Sequence, residues 1–149
     1  MKSLKLSMRI IHLFVGIGAL FGGIAGILSP SGNAVGMSVE VLRNGPFKDF
    51  LVPGIFLFVV IGLGNIITSI TSKHKYHAYL SGCFGVILCM WIIIQCYMLF
   101  AINILHIIFF IIGAVQIALA VILAFKNKLF PTGIIYNYLE KCRAFNNGQ

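Results

Sequence analysis

Asn65, Gln95, His106 and Gln116 are the residues of this chain best placed for chemistry, because each is a polar side chain inside a long apolar stretch. An amide or imidazole in hydrocarbon either pairs with another polar group or lines a path or pocket for a polar solute. His106 could also titrate. The residues missing from these stretches restrict the chemistry further. No Asp or Glu lies inside them, so the usual membrane-embedded proton carrier is lacking. Small proton-coupled multidrug exporters depend on an acidic residue in their first span, whereas this chain has His12 near the start of that span. The sequence holds no H-E-x-x-H, no histidine cluster, no phosphate-binding glycine loop and no evident Ser–His–Asp set. Glu40 and Asp49 fall in the first loop and are the candidates for chemistry at the outer surface. The reading is therefore a non-enzyme, with no catalytic, cofactor-binding or metal-binding residues and no cofactor.

Cys83, Cys89 and Cys96 share one apolar stretch and Cys142 lies near the C-terminus. None forms a C-x-x-C pair, and none lies in the first loop, where thiol–disulfide exchange would need one. They read as small packing residues.

The elements that position these residues are four apolar runs: Ile10–Leu28, Phe50–Ile70, Ala78–Phe100 and Ile104–Phe125. None contains a charged residue. At the rise of an α-helix each reaches roughly 28–35 Å, the thickness of a hydrocarbon core. Hydrophobic residues make up 60% of the chain and charged residues 9%, too little polar sequence to coat four buried helices in water. The expectation is all-α: one transmembrane domain over residues 1–149, a four-helix bundle with a tail over 126–149. The first run is longer than a signal-peptide core and is read as a retained span.

Charge placement orients the bundle. Lys2, Lys5 and Arg9 precede the first run, Lys73 and Lys75 lie between the second and third, and Lys126, Lys128, Lys141 and Arg143 follow the fourth. Only Arg43 and Lys48 lie elsewhere, in the first loop. The positive-inside rule puts both termini in the cytoplasm, as four spans require. The formal charge of +8 is thereby explained without a nucleic-acid partner.

Gly18, Gly22 and Gly26 form a glycine-zipper stripe on the first span, predicting close helix packing. The third and fourth runs can turn only at Ala101–Asn103, which makes them an antiparallel hairpin. Stripes facing the bundle are expected at Gly82, Gly85, Cys89, Ile92, Cys96 and Leu99, and at His106, Phe109, Gly113, Gln116, Ala120 and Leu123. Asn65 and Gln116 then lie at matching depths, both about 20 Å from the outer end, and are expected to pair across parallel neighbouring helices. Gln95 and His106 are expected to pair near the hairpin turn.

In the first loop, Met37–Arg43 reads as a short helix with Ser38 as its cap and Asn44-Gly45 as its stop. Pro46 suits the first turn of the second helix, Asp49 its dipole, and Pro53 a kink. In the tail, Ile134, Ile135, Tyr138, Leu139, Cys142 and Phe145 recur at helical spacing beside Lys141 and Arg143. That pattern predicts an amphipathic helix on the cytoplasmic leaflet, near anionic lipid head groups.

Pro30-Ser31-Gly32, Gly36 with Glu40, Pro46-Phe47 with Asp49, Pro53-Gly54, and Gly62 with Gly64-Asn65 resemble a pattern in an uncharacterised family of small bacterial four-helix integral membrane proteins. The resemblance implies a bacterial cytoplasmic membrane and one compact domain. It implies no activity. The functional expectation is a non-catalytic protein acting through membrane or protein partners, such as a small subunit or assembly factor. A membrane-protein partner or a homo-oligomer would serve. The alternatives are an uncoupled transporter or channel acting as an oligomer, and a holin-like pore former.

Overall fold

A computed structural model describes residues 2–33, 36, 38–42, 45–74, 76–100, 102–130, 133–135, 137, 138, 141 and 143. Four helices are long and apolar enough to cross a membrane: α1 (Lys2–Leu28), α2 (Leu51–Lys73), α3 (His77–Leu99) and α4 (Ile104–Lys126). No strand occurs among the described residues. The start of α1, the α2–α3 connection and the end of α4 share one end of the bundle, here called the base. The first loop and the α3–α4 turn form the top.

The helices run up, down, up, down. The two sequential pairs, α1 with α2 and α3 with α4, pack most closely, and α1 also meets α4 while α2 meets α3. α2 and α4 are therefore diagonal rather than adjacent, which corrects the expectation that they are neighbours.

Large apolar side chains face outward along each helix, among them Ile10, Phe14 and Phe21 of α1 and Ile107 and Ile111 of α4. The polar side chains of His12, Asn65, Thr68, Ser81 and Gln116 face inward together with Met8, Ile61, Leu88 and Leu123. An apolar exterior around a partly polar interior suits a hydrocarbon surround.

Glycine sets the α1–α2 contact at positions partly different from those expected. A methyl group added at Gly23 would lie 2.7 Å from the backbone nitrogen of Phe58, and one at Gly26 would lie 3.1 Å from Gly54 Cα. Gly16 faces Ile66 and the carbonyl of Gly62. The close-packing row is thus Gly16, Gly23 and Gly26. Gly18 and Gly22 are exposed, and Gly18 meets nothing nearer than Phe109 Cζ at 3.6 Å. A stripe read at four-residue spacing drifts around the helix, so Gly26 meets the α2 backbone, Gly22 meets only the Leu57 side chain, where a methyl would lie 3.1 Å from Cδ2, and Gly18 meets neither. In the α3–α4 hairpin, Gly85 and Gly113 play the equivalent part, each against the other's carbonyl.

α2 is irregular. It begins at Leu51, so Pro46 lies outside it, and Pro53 sits in its first turn, where a missing N–H costs little. Asp49 Oδ1 accepts from the Leu51 backbone N–H at 3.1 Å. The disturbance lies further along, as a π-helical stretch over Leu57–Leu63. Its wider turns shift the phase of the residues that follow, and Gly64, Asn65, Thr68 and Ser69 all point inward.

The first-loop helix is one 3-10 turn, Val39–Leu42, with Leu42 buried. Met37, Arg43 and Asn44 lie outside the described residues, as do Ala101 in the hairpin turn and Leu139, Cys142 and Phe145 in the tail. Of the tail residues described, Ile134, Ile135 and Tyr138 are exposed.

Candidate functional site

Four side chains from four different helices meet at the bundle axis. Asn65 is the hub. Its Nδ2 donates to the carbonyl of Ile61, one turn back, at 2.8 Å. That bond fixes which way the amide faces, leaving Oδ1 aimed at the axis. His12 Nδ1 lies 2.6 Å from Oδ1. An amide oxygen can only accept, so Nδ1 carries the proton. On the other side of the ring, Nε2 lies 2.6 Å from Ser81 Oγ. In the neutral ring this nitrogen accepts from the hydroxyl. Gln116 Nε2 donates to the same Asn65 oxygen at 3.0 Å. Its 3.0 Å approach to His12 Nδ1 brings two N–H groups together, so the bond to Asn65 holds Gln116 there. All four residues are at most 1% exposed.

Two apolar layers enclose this junction. Val15, Ala19, Ile61, Leu88, Trp91 and Ile92 pack on the side toward the top. Met8, Ala78, Ala120, Leu123 and Ala124 pack toward the base. Beside the junction the His77 ring stands edge-on to His12, with centroids 6.2 Å apart. His77 is buried and its ring interacts with the Thr68 backbone, whereas Gln116 Oε1 has no hydrogen-bond partner. Ser69 Oγ donates to the Arg9 carbonyl at 3.1 Å, a further tie between α2 and α1.

The half toward the top is different. A cavity of about 320 Å³ lies among the upper parts of the helices, within the usual size range of small-molecule sites. Its wall is mostly apolar, with Gln95, Asn103 and His106 as polar members. Trp91 also lines it, stacked on Phe56 at 4.4 Å between centroids. The Trp91 indole N–H is buried without an acceptor. Gly18 and Gly22 border the cavity. Their missing side chains leave space there.

The expected pairs divide accordingly. Asn65 and Gln116 are hydrogen-bonded, across the diagonal instead of between neighbours, because both reach the axis. Gln95 and His106 share the cavity wall, but no hydrogen bond joins them. His106 Nδ1 instead accepts from the Asn103 backbone N–H at 3.1 Å, closing the first turn of α4. Glu40 is exposed in the 3-10 turn, where its backbone N–H donates to Ser38 Oγ at 3.2 Å. Cys83, Cys89 and Cys96 are free thiols. Among the described residues no group of three or more His, Cys, Asp or Glu converges to hold a metal.

His12, Ser81 and Trp91 are the site residues that the sequence reading did not single out. On α3 the fully buried row includes Ser81, Gly85, Leu88 and Ile92, so it shares only Gly85 and Ile92 with the expected stripe. The recurrence of that row at spacings of three and four was the available signal.

Fold and site together define a bundle of four helices long and apolar enough to cross a membrane, with a polar junction at its axis and an apolar cavity above it. Comparison with protein-family models, curated proteins and solved structures finds no match.

Proposed function

We propose that this chain is a non-catalytic integral membrane protein that acts by holding a partner in or on the bilayer, as a small subunit or assembly factor. The observation that carries this reading is the closed junction. The polar side chains that could have lined a path through the bundle bond one another at the axis, with an apolar layer on each side, the upper one also walling the cavity. Such an arrangement favours structure over conduction. The same reading places both termini in the cytoplasm of a bacterial cell, on the strength of the basic residues at the base. The tail then lies along the inner leaflet, near anionic head groups.

Reconstitution of the purified protein alone in liposomes tests the proposal. Ions and small polar solutes should cross no faster than in protein-free vesicles. Protein-dependent flux that Asn65→Leu abolishes would favour the transporter or channel reading.

A further inference from the structure

We propose that the cavity near the top is a binding site for an uncharged lipophilic molecule carrying a carbonyl oxygen, such as a ketone or an ester. The wall supplies two N–H donors, while the Trp91 indole N–H, though its residue lines the cavity, is itself buried away from it. His106 accepts at Nδ1 from its own helix start, so the neutral ring carries its proton on Nε2 as a donor. Gln95 adds a half-buried amide. A ligand's carbonyl oxygen accepts from either donor. Among the described residues no Asp, Glu, Lys or Arg lines the cavity, so a charged head would find no counter-ion among them and would be costly to desolvate. The cavity, of about 320 Å³ and partly open, takes the ester end of a medium-chain molecule while the rest of the chain extends out of it. Gly18 and Gly22 are exposed on α1 and border the cavity, and on that side a molecule dissolved in the bilayer would enter.

The source of the carbonyl is either the ester region of a bilayer lipid or a free small molecule. The two share this chemistry, and the experiment separates them. Trp91 is the chain's single tryptophan, so its fluorescence reports directly on the cavity. Detergent-solubilised protein is titrated with brominated methyl decanoate, with bromodecane, and with brominated phosphatidylcholine, since bromine quenches indole on contact. The ester should quench saturably at a concentration about five- to tenfold below the alkane, the ratio that one added hydrogen bond supplies. Gln95→Leu should reduce that ratio. Gly18→Leu should abolish saturable quenching by every probe while helix content by circular dichroism is kept. Saturable quenching by the phospholipid at low mole fraction identifies bilayer lipid as the source. Quenching by the ester alone identifies a free molecule. Equal affinity for ester and alkane would overturn the carbonyl assignment. Unchanged quenching in a folded Gly18→Leu protein would overturn the site.

Discussion

Asn65→Leu should be far more damaging than Gln116→Leu, although the two amides are bonded to each other. The asymmetry follows from who is left without a partner. Asn65 accepts from His12 at 2.6 Å and from Gln116 at 3.0 Å, and donates to Ile61 at 2.8 Å. Leucine there strands the His12 Nδ1–H and the Gln116 amide N–H in an apolar interior. Interhelical hydrogen bonds in membrane proteins contribute about 0.6–1.7 kcal/mol each, so two stranded donors should cost about 1–3 kcal/mol. Gln116→Leu strands nothing, because the Asn65 oxygen still accepts from His12. It also removes the unpartnered Gln116 Oε1. Its cost should stay below about 0.5 kcal/mol. The double variant should be less damaged than the sum of the singles, because it leaves one stranded donor instead of two. The assay is unfolding by increasing SDS fraction in mixed micelles, followed by Trp91 fluorescence and by circular dichroism. Equal losses for the two single variants, or strict additivity in the double, would refute the hub arrangement.

Gly23→Ala should destabilise by about 1–3 kcal/mol through overpacking, since the new methyl would lie 2.7 Å from the Phe58 backbone nitrogen. Gly18→Ala should leave thermal stability in detergent nearly unchanged, and equal losses at both positions would contradict the assignment of the packing row. His77→Phe should change stability by no more than about 1 kcal/mol, because it keeps the buried ring and gives up only one interaction with the Thr68 backbone; a larger loss in the same SDS assay would contradict this. Ser38→Cys should react with a membrane-impermeant thiol reagent added to intact cells, and protection from that reagent would contradict the proposed orientation.

The four helices were legible because a bilayer span imposes length and hydropathy on contiguous residues, and hydropathy needs no knowledge of packing. The Asn65–Gln116 contact was legible too, because depth along a helix follows from residue count alone. Rotation about the helix axis was harder to read. The π-helical stretch over Leu57–Leu63 changes the phase of α2 just before Asn65, and the sequence carries no plain mark of it. The glycine row was misplaced for a related reason, since α1 carries glycines on more than one face and only the partner's backbone separates Gly23 from Gly22. His12 was noted only as standing where an exporter would carry an acid, because it follows closely on Lys2, Lys5 and Arg9, where an imidazole looks interfacial. α1 in fact starts at Lys2, well before the apolar run, which carries His12 down into the packed interior. His106 was legible as a residue of the top, but its bond to the Asn103 backbone depends on the local geometry of the helix start.

The junction at the bundle axis ties the four helices together, and the His12 ring reports on it directly. Nitrogen NMR of the protein labelled at histidine, with His12 assigned by its replacement, should show Nδ1 protonated and Nε2 bare, accepting from Ser81. That tautomer should persist in Gln116→Leu and be lost in Asn65→Leu. A ring protonated at Nε2 and bare at Nδ1, or one unaffected by Asn65→Leu, would contradict the junction and with it the closed bundle.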